Sequence, residues 1–165
     1  MEIEKVAKIE HILNLDYSDP QGRQAIDKTL RMIKPFKKYP MDAQIPLEKL
    51  EKLVYMLVNK YEITPQWINL TYDASIKCLY SVSVKTTYNH VWLGRVYAMS
   101  IYELFVKLCI KLWAEIKSKN IPVRQPTEAE KQRQKKLDKL KGEWKQHAWY
   151  SSYNYRHNKG HCKKR

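Results

Sequence analysis

Glycine is scarce, with 4 in 165 residues. None sits between a strand and a helix at the spacing of a phosphate-cradling loop, so the glycine-rich mononucleotide and dinucleotide motifs are excluded. Cysteine is also scarce. Cys78, Cys109 and Cys162 are 3 in number and widely spaced, which fits free thiols in a reducing cytoplasm better than a disulfide scaffold. No run approaches the ~20 apolar residues that a membrane span needs. The opening Met1-Glu2-Ile3-Glu4-Lys5 lacks the basic lead and apolar stretch of a secretory signal, so a cytoplasmic location without membrane partners is expected. Acidic residues are few, 17 against 31 Lys and Arg, and the net charge is +14.

Catalytic signatures are missing as well. There is no nucleophile elbow, and no Asp/Glu pairing of the kind that metal-dependent nucleases use. Asp73 and Glu103 could meet in space, but Glu103 is already explained as a helix cap. The chain is therefore read as a non-enzyme without a cofactor. His147, His157, His161 and Cys162 are the candidate metal ligands. Tyr153-Asn154-Tyr155 and Asn158-Lys159-Gly160 argue against a stable helix that would align them, so no metal site is expected.

What the chain does have is patterned hydrophobicity. At 44% hydrophobic and 12% aromatic it can build a core. A short helix is expected from about Ile3 to Leu13. Asp19-Pro20 opens a second, with an acceptor at the cap and proline at the first helical position, and Pro35 ends it. Pro46 opens the clearest amphipathic helix, with Leu47, Leu50, Val54, Leu57 and Tyr61 on one face. The pattern then changes. Trp67 to Tyr72 is strand-like, and Ile76 to Val84 alternates with a period of two. Thr87 to His90 reads as a turn, and Val91 to Ala98 as a third strand. Ser100 and Glu103 form a capping box. They start a helix that places Ile101, Leu104, Phe105, Leu108, Leu112 and Ile116 inward.

The resulting fold class is α+β: a helical N-terminal part, a three-stranded antiparallel sheet packed by helices, and a basic C-terminal helix and tail. Three segments are expected, residues 1–45, a core domain over 46–120, and 121–165. Asn120 to Pro126 reads as a linker, Thr127 and Glu130 as a second capping box, and the last helix as ending near Trp149. The stretch from Tyr150 to Arg165 has no periodicity and is expected to be disordered alone.

Charge is concentrated in that last segment. From Arg124 onward there are 13 Lys and Arg against 4 Asp and Glu, a net of +9. The candidate nucleic-acid-binding residues are Lys131, Arg133, Lys135, Lys136, Lys139, Lys141, Trp144, Lys145, Trp149, Tyr150, Tyr153, Tyr155, Arg156, Lys159, Lys163, Lys164 and Arg165. Cations neutralise phosphates and release counterions, and aromatic faces stack on unpaired bases. The competing use is structural, with Trp144 and Trp149 packing the last helix onto the domain. Charge and stacking groups coincide here, so RNA, DNA or a host nucleoprotein complex is the expected partner.

Two resemblances add to this reading. The order helix, three strands, helix over Pro46 to Lys117 resembles the double-stranded RNA-binding domain in topology alone. The matching helix start here is Ser100-Ile101-Tyr102-Glu103, without that family's lysine cluster, and no binding residue is carried over. The run Gly94-Arg95-Val96-Tyr97-Ala98-Met99-Ser100-Ile101-Tyr102-Glu103-Leu104-Phe105-Val106-Lys107-Leu108 resembles small bacteriophage proteins with helices on a short antiparallel sheet. That resemblance covers about residues 67–118. It implies a phage or mobile-element origin, host-cell cytoplasm, and, as for anti-CRISPR proteins, seizure of a host RNA-guided nuclease or another protein at its nucleic-acid site.

Overall fold

The computed structural model describes the backbone of residues 2–68 and 78–161, and side chains over 7–66 and 78–148. The fold is α+β, with five α-helices and a three-stranded antiparallel sheet in the order β1-β2-β3 among the described residues. The helices are α1 (Glu2–Leu13), α2 (Pro20–Leu30), α3 (Leu47–Lys60), α4 (Ile101–Ser118) and α5 (Glu128–His161). The strands are β1 (Ile63–Ile68), β2 (Tyr80–Thr86) and β3 (Trp92–Ala98). The chain divides into two compact units, Met1–Arg124 and Gln125–Arg165.

Local sequence explains most boundaries. Asp19 caps α2 by accepting from the Gly22 N–H at 2.8 Å, and Pro20 follows at the first turn. Ser100 caps α4 by accepting from the Glu103 N–H at 3.1 Å. Glu103 does not close the box on Ser100; its carboxylate reaches one residue further back, to the Met99 N–H at 2.9 Å. Asn120 then ends α4 with a left-handed φ of +48°. The Ile121 N–H donates to the Ile116 carbonyl at 3.2 Å, and Ile121 is buried, which together make a Schellman stop.

Several expectations need correction. The first strand starts at Ile63 rather than Trp67, and Pro65 lies inside it opposite Val84. β1 is an edge strand, where a missing N–H costs no ladder bond if it faces outward. Residues 69–72, at the end of the expected strand, lie outside the described residues, as do Asp73, Ile76 and Lys77. The segment after α4 is no free linker. Glu62 N–H donates to the Pro122 carbonyl at 3.0 Å, and Arg124 N–H to the Lys60 carbonyl at 2.8 Å. The last helix does not end at Trp149. The backbone stays helical to His161, and no proline interrupts it.

Helix α4 is the centre of the first unit. It contacts α1, α2, α3, β2 and β3. Leu104, Leu108, Cys109, Ile110 and Leu112 are each buried to within about 1% of full. Ile101, expected inward, is exposed. A second buried row runs down the same helix at i,i+4 spacing, and it is charged: Glu103, Lys107, Lys111 and Glu115. Lys107 Nζ meets Glu103 Oε1 at 2.8 Å and donates to the carbonyls of Leu15 at 3.2 Å and Tyr97 at 3.3 Å. Lys111 Nζ bridges Glu10 and Glu115, the latter at 2.9 Å, and Glu115 also meets Lys119 at 3.0 Å. The six charges cancel. The two lysines tie α1, α4 and β3 together.

Polar clamps hold the N-terminal part. The Arg31 guanidinium donates to the carbonyls of Asp27, Tyr39, Pro40 and Ala43 and so closes the loop after α2. Tyr17 donates to Asp27 at 3.2 Å and lies 6.5 Å from the Tyr102 ring, while the Tyr102 hydroxyl donates to the Ile45 carbonyl at 2.8 Å. Burial first, and the Asp27 carboxylate second, push both phenols above their ordinary range. Burial likewise pushes up the Cys109 thiol, whose Sγ lies 3.4 Å from the Leu50 carbonyl. All three groups are held neutral, so their contribution is complete below the ordinary values of about 8.5 for cysteine and about 10 for tyrosine. It is lost as pH rises through the raised native values. The midpoint of thermal unfolding should therefore be flat through neutral pH and fall above about pH 9. A calorimetric series from pH 6 to pH 11 checks this, and a midpoint that held or rose across that range would contradict it.

Candidate nucleic-acid interface

Helix α5 opens on a complete capping box. The Thr127 N–H donates to Glu130 Oε2 at 2.8 Å, and the Glu130 N–H donates to Thr127 Oγ1 at 3.2 Å. Acidic Glu128 and Glu130 lie in the first turn, where they complement the helix dipole. Beyond them, every described side chain from Lys131 to Ala148 is exposed. This holds for Lys131, Arg133, Lys135, Lys136, Lys139, Lys141, Trp144 and Lys145 among the predicted binding residues. Trp144 is 78% exposed, so it does not pack the helix onto a core. Leu137 and Leu140, at 50% and 52%, are open too.

At 100° per residue basic side chains project all round the helix, with Arg133 at the angle of Leu140 and Trp144, but two rows stand out. Lys131, Lys135 and Lys139 make one i,i+4 row. Leu137, Leu140 and Trp144 fall on the opposite side at spacings of three and four. Only Lys131 in the basic row has an ion partner among the described residues, Glu128 at 2.8 Å. Trp149, Tyr150, Tyr153, Tyr155, Arg156 and Lys159 stand on the helical backbone, with side chains outside the described residues. Lys163, Lys164 and Arg165 lie outside the described residues, as does Cys162. Among the described residues no group of three His, Cys, Asp or Glu is placed to hold a metal. No helix there is long and apolar enough to cross a membrane.

A concavity lies in the first unit, and sequence reading missed it. Glu10 of α1, Trp92, Leu93, Gly94, Arg95 and Tyr97 of β3, and Lys111 of α4 line a cleft of about 600 Å³. Gly94 takes φ +118°, and a Cβ there would come within 2.9 Å of Lys111 Nζ, so the lysine approaches the strand this closely because the residue is glycine. The one signal in the sequence is a glycine inside a strand pattern, which often marks a close approach. Which helix approaches it is a tertiary fact. Compared with known proteins, the chain matches no family model, no curated protein and no solved structure.

Proposed function

We propose that this protein is a non-catalytic nucleic-acid or nucleoprotein binder of phage or mobile-element origin that works through α5. The observation that carries the reading is the exposed lysine row of α5 together with the open Trp144, none of which contributes to a core. A regular row of cations on a stable helix meets a phosphate backbone without sequence preference. The aromatic side groups add stacking where bases are unpaired.

The test compares three proteins on single-stranded RNA, duplex RNA and duplex DNA across a salt series. They are the full chain, a chain ending at Arg124, and the triple variant Lys131→Ala, Lys135→Ala, Lys139→Ala. The truncated chain keeps its fold, because every described buried apolar side chain lies between Leu13 and Ile121. The full chain should bind with a steep salt dependence. The triple variant should lose about 2–3 units of the slope of log K against log salt, since each phosphate neutralised contributes about 0.7–0.9. The truncated chain should lose this salt-dependent binding. Equal affinity of the full and truncated chains would remove α5 from the reading.

One observation favours a second reading. Leu137, Leu140 and Trp144 form an open apolar stripe, and an amphipathic helix can lay such a stripe into a protein groove. The alternative function is an anti-CRISPR-type inhibitor that occupies the nucleic-acid site of a host RNA-guided nuclease. It predicts tight binding to that protein and little affinity for bare nucleic acid. Leu137→Ser with Trp144→Ala would then abolish binding, while the lysine variant would only slow association.

A further inference from the structure

We propose that the cleft between β3 and α1 binds a nucleoside monophosphate unit, with its base on Trp92 and its phosphate on Arg95. This inference stands on the first unit alone and does not rest on the α5 reading.

The volume of about 600 Å³ falls in the range of small-ligand sites. Two of its lining groups are left over from folding. Trp92 is 65% exposed at the start of an edge strand and contributes nothing to the core. Arg95 is exposed, and its guanidinium forms no hydrogen bond, ion pair or ring contact with a described residue. An open indole beside an uncommitted guanidinium is suited to a flat ring that carries an anion, because guanidinium binds phosphate through a planar fork.

The remaining groups set the orientation. Lys111 already holds Glu10 and Glu115 with two of its three N–H groups and is 1% exposed, so the open Arg95 is the group placed to meet the phosphate. The role of Lys111 is positional: it fixes Glu10 at the mouth of the cleft. Glu10 gives one carboxylate oxygen to Lys111, and the other has no partner among the described residues. A carboxylate acceptor in that place suits the exocyclic amine of a base. Leu93 and Tyr97 supply the apolar wall. Because Lys111 already balances Glu10, Arg95 gives the cleft an excess of one positive charge, which fits an anionic ligand.

The test uses the full chain and the four common nucleoside 5′-monophosphates, with the matching nucleosides as controls, read by calorimetry and by saturation-transfer NMR. At least one monophosphate should bind saturably. Trp92→Ala should weaken it by about tenfold or more, in line with the loss of one stacked base. Arg95→Ala should reduce the monophosphate to the affinity of its nucleoside, while leaving the nucleoside unchanged. Both side chains are exposed, so both variants should unfold at the midpoint of the parent. The α5 triple lysine variant should bind monophosphate as the parent does, which separates failure of this cleft from failure of the α5 interface. In that same lysine background, a tetranucleotide binding tighter than the monophosphate would identify a strand segment as the source, and equal binding would identify a free nucleotide. Absence of binding by all four monophosphates, or affinity unmoved by Trp92→Ala and Arg95→Ala, would overturn the proposal.

Discussion

Lys107→Ala should lower the unfolding free energy by about 3–5 kcal/mol, the scale for breaking a buried ion pair by removing one partner. The lysine is 4% exposed and its ammonium has three acceptors, one for each N–H: Glu103 Oε1 and the carbonyls of Leu15 and Tyr97. Truncation would leave the Glu103 carboxylate, itself 6% exposed, without its cation. It would also leave two carbonyls unpaired and a void along α4. A native stability of about 5–15 kcal/mol would lose a large share. Removing the pair together should behave differently. In Glu103→Leu, Lys107→Met the apolar replacements fill similar volume and no charge is stranded. Coulombic gain and desolvation nearly cancel for such pairs, so the double variant should retain most of the stability the single one loses. It still gives up the Met99 cap and the two carbonyl contacts, so a modest deficit remains. Urea unfolding of the single and double variants checks this. A single variant within about 1 kcal/mol of the parent would mean that Lys107 is far more hydrated than its burial implies.

Gly94→Val should be the most damaging change in the sheet. A φ of +118° is open to glycine and strained for any L side chain, most of all a β-branched one. Strain of that type costs about 1–3 kcal/mol by itself. The new Cβ would in addition sit 2.9 Å from Lys111 Nζ. That ammonium is 1% exposed by residue and held by two carboxylates, so it has nowhere to swing without giving up its pairs with Glu10 and Glu115. Either β3 shifts or the ion pair opens, and in both cases the cleft closes. The expected result is a stability loss beyond the backbone strain together with loss of any ligand bound in the cleft. Gly94→Ala should show the same direction at smaller size. Thermal unfolding of both variants checks the order, and a Gly94→Val protein as stable as the parent would contradict it.

The elements easiest to read from sequence were those fixed by neighbours in the chain. Asp19-Pro20, the alternation through Val82 and Val84, and the capping pairs at Ser100 and Thr127 are local chemistry. The start of β1 was hidden, because Pro65 reads as a break unless the strand is known to lie at an edge. The charged row of α4 was hidden for a related reason. Glu103, Lys107, Lys111 and Glu115 look like a solvated face at i,i+4 spacing, and nothing local announces that α1 and β3 will cover it. The extension of α5 past Trp149 was missed because tyrosine, serine and asparagine are only mediocre helix formers, and mediocre is enough once a helix is already nucleated. The lysine row and Trp144 were legible as candidates, and their exposure is what the fold adds. The cleft was not legible, because it depends on where two distant elements meet.

Helix α5 is 34 residues long, so its ends stand about 50 Å apart. The ten positions from Gln146 to Tyr155 carry no formal charge. They separate Lys145 from Arg156 by about 16 Å along the axis. Electrostatic influence fades over about 8 Å at physiological ionic strength. The helix is therefore a ruler with two basic marks rather than one continuous cationic rod. Titration with salt should find the two marks independent, and changing the length of the neutral stretch by one helical turn should alter the spacing of what they hold without altering the grip of either.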